Sequence, residues 1–176
     1  MQRHQLEHII RAAAGITGAT ELVVVGSQAL LGQFPTAPVE LLVSIEADVF
    51  SLRDPADSDL IDGSIGEGSP FHQTFGYYAH GVGADTAVLP KGWRERLIPV
   101  RNANTGSGTG LCLEVHDLAV SKLVAGREKD LSFVGALLRH QMLDMTTVEQ
   151  RLAATPIPCE RRELCLARLH RLTKQA

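Results

Sequence analysis

ELVVVGS, residues 21–27, and VELLVSIEADVF, residues 39–50, are the two apolar runs that decide the fold. Each run is rich in Val, Leu or Ile and is bounded by Gly or Pro, so each predicts a β-strand. Because side chains alternate between the two faces of a strand, Glu46 and Asp48 are expected on one face, roughly 7 Å apart. The apolar residues between positions 43 and 49 then cover the opposite face.

Two neighbouring acids on one strand face repel each other unless a cation lies between them. Hard divalent cations such as Mg²⁺ prefer carboxylate oxygens as ligands, so Glu46 and Asp48 are candidate metal ligands. Gly26 lets backbone N–H groups approach an anion, and Ser27 adds a hydroxyl donor and is expected to cap a short helix. The alternative is that the acids lie on a solvated sheet face and that Ser27 only caps the helix.

The length indicates one globular domain over residues 1–176. The order of the predicted elements divides it into a core at about 15–115 and a helical C-terminal part at 116–174. Of the 176 residues, 44% are hydrophobic and 21% are charged, which is ordinary for a globular protein. The net charge of −3 gives no general attraction to polyanions. With three cysteines and no apolar run or leader that suggests a membrane or export, we predict a cytoplasmic protein with no membrane partner.

Apolar spacing predicts the remaining elements. The predicted strands and helices are strands at 77–82, 86–89, 97–100 and 111–115, and helices at 3–14, 57–65, 117–140, 146–153 and 160–172.

The segment SKLVAGREKD, residues 121–130, is a second candidate for a site. Lys122, Gly126, Lys129 and Asp130 would share one side of a helix, with Gly126 clearing space between them. Lys122 could then neutralise a phosphate, and Asp130 could orient a basic side chain or help to hold a metal. A salt-bridged helix face explains the same pattern without any ligand.

Three further features carry a structural and a functional interpretation. HQLEH, residues 4–8, fits a zinc-peptidase pattern but has no third-ligand partner, which favours coincidence. His72 and His80 are candidate substrate contacts or half-buried structural residues. The basic residues of the last helix, 160–176, could contact RNA phosphates or form a solvated face.

Five segments make the chain resemble the nucleotidyltransferase superfamily, whose hallmark is Gly-Ser after one strand and acid-x-acid on the next. It is more closely similar to a bacterial family of small nucleotidyltransferase-like proteins, distantly related to abortive-infection toxins. The matching segments are VGSQALL (25–31), SIEAD (44–48), GYYAHGV (76–82), LPKGW (89–93) and SKLVAGREKD (121–130).

The resemblance implies an α/β (α+β) fold, a mixed β-sheet flanked by helices with further helices towards the C-terminus. It also implies roles for individual residues. Gly26 and Ser27 would hold the phosphates of a nucleoside triphosphate, Glu46 and Asp48 would bind Mg²⁺ (or Mn²⁺), and Lys122 would contact a phosphate.

The chain departs from the superfamily pattern at two points. The first acid is Glu46 where Asp is usual. The third carboxylate, which activates the attacking hydroxyl, has only Asp85 and Glu114 as candidates.

The resemblance therefore implies a magnesium-dependent nucleotidyltransferase that moves a nucleoside monophosphate onto an acceptor hydroxyl. The acceptor could be an RNA end, a protein or a small molecule. The toxin relatives favour RNA, and they imply an antitoxin protein as a partner. The alternative is a catalytically degenerate module of the same fold that binds a nucleotide, RNA or a protein.

Overall fold

The computed structural model describes residues 1–175 of the chain. Five strands form one mixed sheet with the spatial order β3-β2-β1-β5-β4. The pairs β1–β2 and β4–β5 are antiparallel, and the pairs β1–β5 and β2–β3 are parallel. This confirms the predicted mixed α/β architecture. The strands are β1 (Glu21–Val25), β2 (Glu46–Ser51), β3 (Tyr78–Gly81), β4 (Ile98–Val100) and β5 (Thr109–Cys112).

Helices cover the sheet and dominate the C-terminal third of the chain. Short 3₁₀ turns occur at Ser27–Ala29, Val39–Leu41, Trp93–Arg96 and Ala103–Thr105. Within residues 1–175, no helix combines the length and the apolar character needed to cross a bilayer. The α-helices are α1 (Arg3–Thr17), α2 (Leu30–Gln33), α3 (Asp57–Ile65), α4 (Pro70–Phe75), α5 (Val115–Ala125), α6 (Glu128–Arg139), α7 (Met145–Ala153) and α8 (Cys159–Thr173).

The central strand β1 is buried on both faces. Leu22 and Val24 pack into the main core, while Val23 and Val25 join Phe50 in a smaller cluster on the other face. A strand covered on both sides needs apolar residues at successive positions. This is why β1 is a continuous run of Leu and Val without polar alternation.

The predicted strand 39–50 is wrong in its first half. Residues Val39–Leu41 form a 3₁₀ turn and β2 begins at Glu46, so Val43 and Ile45 are 78% and 48% exposed. The physical reason is the length of the partner strand, because β1 pairs only as far as Val25 and then turns away. The predicted strand 86–89 is also absent, since this segment follows a turn in which Thr86 N–H donates to Gly83 O.

The predicted helix 117–140 is two helices, α5 and α6. Gly126 ends α5 in a left-handed conformation with φ of 67°, so it is a helix terminus and not a mid-helix residue. Glu114 caps α5, which begins at Val115, two residues before the predicted start of the helix at Asp117. Asp117 instead lies buried in the first turn and receives a hydrogen bond from Arg96 Nε at 2.8 Å.

Helix α8 supplies donors to the carbonyl groups that the end of α5 leaves unpaired. Arg168 Nη1 donates to Leu123 O at 2.7 Å, and Arg161 Nη2 donates to Val124 O at 3.3 Å. A Cβ atom on Gly126 would lie 2.2 Å from Arg168 Nη1, so only glycine leaves room for this contact. Part of the basic character of α8 therefore stabilises the negative end of another helix.

The HxxEH pattern in α1 has structural partners. Glu7 accepts hydrogen bonds from Asn102 Nδ2 and Asn104 Nδ2, both at 2.8 Å, which fasten the loop before β5 to α1. His8 Nδ1 lies 2.7 Å from the Tyr77 hydroxyl. These contacts explain the acid and the second histidine without a zinc ion.

Replacing Glu7 by Gln should destabilise the fold by about 1–2 kcal/mol at neutral pH, because buried charge-assisted hydrogen bonds are lost. Burial raises the pKa of Glu7, but hydrogen bonds from Asn104, Asn102 and Arg3 outweigh it and hold the pKa below its usual value. The stabilisation is thus present above the usual pKa and is lost on acidification. Urea unfolding of both proteins at several pH values measures the difference.

His4→Ala is the matched control, since His4 is exposed on the same helix and its replacement should leave the unfolding free energy nearly unchanged. A Glu7→Gln deficit that stays constant as the pH falls would contradict the charged role of Glu7.

Candidate active site

The antiparallel register of β1 and β2 brings the glycine-serine bend to the acids. Val25 lies opposite Asp48, so the chain turns at Gly26 directly beside the Asp48 carboxylate. Gly26 has a φ of 68°, and a Cβ atom there would lie 2.0 Å from Asp48 Oδ2. Only glycine satisfies both the backbone conformation and the close approach.

Ser27 follows the bend, but its side chain does not cap a short helix as predicted. Gly26 is the N-cap position of the 3₁₀ turn at Ser27–Ala29, and no side-chain hydrogen bond caps this turn. The Ser27 hydroxyl has no hydrogen-bond partner among residues 1–175. Its side chain lines a cavity that Glu46 and Asp48 also line. The hydroxyl is therefore free to meet a ligand.

Glu46 and Asp48 lie on the same face of β2, and His80 on β3 completes a cluster with them. The parallel register places His80 opposite Asp48, and Tyr78 opposite Glu46. His80 Nδ1 lies 3.1 Å from Asp48 Oδ1 and 3.5 Å from Glu46 Oε1. The Tyr78 hydroxyl donates to Glu46 Oε2 at 2.8 Å.

The environments of the two acids move their pKa values in opposite directions. Burial, followed by the charge of Glu46, raises the pKa of Asp48 above its usual value. Burial also disfavours ionised Glu46, but the hydrogen bond from Tyr78 leads the effects that lower its pKa overall. Burial opposes protonation of His80, yet its hydrogen bond to Asp48 and the charges of both acids raise its pKa. The protein thus stabilises the negative charge of Glu46 and disfavours a second negative charge on Asp48.

This cluster fits a divalent cation. Glu46, Asp48 and His80 each offer one ligand atom, and these atoms all lie within 4.8 Å of one another. The carboxylate oxygens suit Mg²⁺ or Mn²⁺, whereas an imidazole nitrogen suits later transition metals better than Mg²⁺. The two acids are accordingly the residues that would hold Mg²⁺, with His80 as an orienting partner or an additional ligand.

Cations from the α5–α6 corner face the acids. Lys122 Nζ lies 3.0 Å from Asp130 Oδ1, and Arg127 Nε donates to Asp130 Oδ2 at 2.6 Å. The Asp130 side chain is 0% exposed, so it holds two cations in place and does not present a free oxygen to a ligand. Burial raises the pKa of Asp130, but the hydrogen bonds from Arg127 and Lys122 outweigh burial and lower it.

A cavity of about 340 Å³, called the large cavity below, lies between the acids and these cations. Its size falls within the range of small-molecule sites. Acids and His80 form one wall, cations form another, and an aromatic ring contributes an apolar surface. Its lining includes Ser27, Glu46, Asp48, Lys122, Lys129 and Phe133.

Neither candidate for the third carboxylate joins the cluster. Asp85 belongs to an exposed turn, and Glu114 caps α5 while its Oε1 lies 2.6 Å from His116 Nδ1. The third group beside the acids is His80, which the sequence predicted only as a candidate substrate contact or a half-buried structural residue. Its position depends on the parallel pairing of β2 with β3, which no local pattern reveals. Arg127 was likewise missed, because the predicted continuous helix concealed the corner that directs it.

A mixed sheet in which a glycine-serine bend faces two acids on the adjacent strand defines the nucleotidyltransferase class of protein. Residues 4–163, most of the chain, match the model of the family described as "Nucleotidyltransferase of unknown function (DUF6036)". The chain belongs to this family. No curated protein and no solved structure gives a significant match. Because the family description names no toxin, the likeness to abortive-infection toxins stays a prediction.

Removing one acid should weaken metal binding. We expect Asp48→Asn to lower the affinity for Mn²⁺ by at least about tenfold, because a charged oxygen donor is replaced by a neutral amide. Titration of the protein with Mn²⁺, with free Mn²⁺ followed by electron paramagnetic resonance, measures this. Asp59→Asn, an exposed acid on α3, is the control and should bind Mn²⁺ as the wild type does. Equal affinities for all three proteins would argue against the metal site.

Substituting Gly26 by Ala should damage both the fold and the site. The left-handed conformation costs a non-glycine residue about 1–2 kcal/mol, and the added methyl group must also displace the Asp48 carboxylate. We therefore expect lower stability together with weaker Mn²⁺ binding. Gly15→Ala is a matched control, because Gly15 is exposed in α1 and a Cβ there meets nothing within 4 Å. It should be neutral or slightly stabilising, and a similar result for Gly26→Ala would contradict the close approach.

Proposed function

We propose that the protein is a metal-dependent nucleotidyltransferase that moves a nucleoside monophosphate from a nucleoside triphosphate to an acceptor hydroxyl. The observation that carries this proposal is the contact of the Gly26 bend with Asp48, whose carboxylate lines the large cavity together with Glu46 and the Ser27 side chain. The Ser27 hydroxyl and the two acids would thereby meet the same ligand. Membership of a nucleotidyltransferase family supports the assignment.

The large cavity offers complementary groups for each part of a nucleoside triphosphate. The Ser27 hydroxyl and the Lys122 and Lys129 ammonium groups would bind phosphate oxygens, and Glu46 and Asp48 would hold Mg²⁺ or Mn²⁺. When bound, the metal would offset the negative charge that develops on the phosphates. Phe133 gives the nucleoside an apolar surface.

The transfer step joins the acceptor oxygen to the α-phosphorus and breaks the bond from that phosphorus to the oxygen bridging to the β-phosphate. The bridging oxygen keeps the electron pair, and pyrophosphate leaves. The hydroxyl proton passes to the Asp48 carboxylate, which lines the large cavity. Lys122, held by Asp130, stabilises the negative charge of the departing pyrophosphate.

An RNA end, a protein hydroxyl or a small molecule could provide the oxygen nucleophile. A toxin that modifies RNA and is held inactive by an antitoxin protein is one form of this proposal, and it rests on the resemblance alone.

The rival function is a non-catalytic module that binds a nucleotide, RNA or a protein. One observation favours it. The cluster of Glu46 and Asp48 is completed by the imidazole of His80, whereas the superfamily uses a third carboxylate to activate the acceptor.

Label transfer separates the two functions. The protein is incubated with α-³²P-labelled nucleoside triphosphates, Mg²⁺ or Mn²⁺, and in turn total RNA, total protein and a small-molecule extract. We expect labelled product, and we expect Asp48→Asn to reduce its rate at least about 100-fold because charge stabilisation worth several kcal/mol is lost.

Asp59→Asn controls for loss of an acid elsewhere and should retain the wild-type rate. Nucleotide binding without transfer in any of the three mixtures would favour the binding module. Transfer that persists in Asp48→Asn would contradict the assigned site.

A further inference from the structure

A second, smaller cavity lies next to the large one. This small cavity has a volume of about 190 Å³ and includes Gly26, Ser121, Val124 and Arg161 in its lining. The two cavities share a boundary formed by Asp48, Thr86, Lys122 and Arg127. A group bound in the small cavity would therefore reach the same Asp48 carboxylate as a nucleotide bound in the large one.

The small cavity carries an excess of positive charge. Lys122, Arg127 and Arg161 line it against one acidic lining residue, Asp48. The buried Asp130 pairs with Lys122 and Arg127, so three cations face two acids and one positive charge remains. Arg161 Nη2 donates to Val124 O at 3.3 Å, which fixes one end of the guanidinium. No carboxylate within residues 1–175 lies within 4.0 Å of the Arg161 nitrogens, so the remaining N–H groups are available to an anion. Guanidinium groups match the geometry of phosphate oxygens.

The dimensions of the small cavity limit its ligand. A volume of 190 Å³ equals that of about six water molecules, which is below the usual range for drug-sized ligands. Its walls between the cations are formed by short apolar side chains, among them Val25, Ala87 and Val124. A compact molecule with an anionic end fits this space better than a base-paired or folded polymer does.

We propose that the small cavity is the acceptor subsite and that it binds a small hydroxyl compound carrying a phosphate group. The phosphate would pair with Arg161 and Arg127, and the hydroxyl would point towards Asp48 at the shared boundary. Attack then follows the transfer step described above. The acceptor oxygen bonds to the α-phosphorus, its proton passes to Asp48 and pyrophosphate leaves. This inference rests on the proposed nucleotidyltransferase function and specifies its acceptor.

The use of the basic residues on α8 argues against a long polyanion at this surface. Arg168 donates to Leu123 O, and Arg162 donates to the carbonyl oxygens of Thr155 and Ile157. These guanidinium groups are thus engaged in holding the helices together. Arg161 is the α8 cation that lines the small cavity, which supports one localised anion rather than a row of them.

The test measures binding at each cavity separately. Glycerol 3-phosphate is the probe for the small cavity, with glycerol as its uncharged counterpart. α,β-Methylene-ATP with Mg²⁺ is the probe for the large cavity, because it resists transfer. Isothermal titration calorimetry is carried out on the full chain with each probe alone and with both together.

We expect both probes to bind simultaneously and glycerol to bind at least about tenfold more weakly than its phosphate ester. Arg161→Gln should weaken glycerol 3-phosphate at least about tenfold and leave the nucleotide analogue within twofold. Lys129→Gln is the matched control, since Lys129 lines only the large cavity and should give the reverse pattern. Arg161→Lys keeps the charge and should recover part of the affinity, and unfolding midpoints verify that each variant is folded.

Competition between the two probes, equal binding of glycerol and its phosphate ester, or an unchanged affinity in Arg161→Gln would overturn the acceptor subsite. Label transfer to RNA or protein but to no small phosphate ester would overturn it as well. Failure of the proposed function looks different. In that case no transfer occurs to any acceptor, while glycerol 3-phosphate still binds through Arg161.

Discussion

The approach of the Gly26 backbone to the Asp48 carboxylate is the constraint on which the site depends. It follows from the antiparallel register of β1 and β2, in which Val25 lies opposite Asp48. Because side chains alternate along a strand, a slip of one residue would move Asp48 to the other face of the sheet. The alternation in β2 resists such a slip, because Ala47 and Val49 are fully buried on one face while the two acids occupy the other. The register thus couples the packing of the core to the position of the acids.

A second constraint supplies the opposite charge. The chain turns sharply at Gly126, and the turn brings Lys122 and Arg127 onto the same buried carboxylate, Asp130. Asp130 restrains both cations, and both still line the large cavity together with Glu46 and Asp48. Arg168 of α8 also stabilises this corner, because its guanidinium donates a hydrogen bond to Leu123 O in the last turn of α5. The electrostatic design is therefore a pair of acids on a sheet opposed by cations on a braced helix corner.

Local patterns predicted the parts of this arrangement that local physics determines. Apolar runs and their boundaries gave β1, the bend at Gly26 and the shared face of Glu46 and Asp48. The features that were missed depend on distant partners. The parallel pairing that delivers His80 joins strands about thirty residues apart, and the apolar run 39–45 was taken for strand because its sequence does not show where β1 stops. The helix end at Gly126 was also missed, because the i, i+4 spacing of the charged residues around it fits one continuous helix equally well.

The parallel pairing of β1 with β5 has a consequence for the order in which the molecule assembles. Val23 of β1 lies beside Leu111 of β5. Because β5 is synthesised much later than β1, one edge of β1 stays unpaired until β5 has been made. The hairpin-like contact of β1 with β2 can form sooner, because it closes a shorter loop. On the ribosome, the strands that carry the acids and His80 are consequently synthesised before the α5–α6 corner that carries Lys122 and Arg127. A nascent chain at that stage exposes an apolar sheet edge, which is the form most exposed to misassociation.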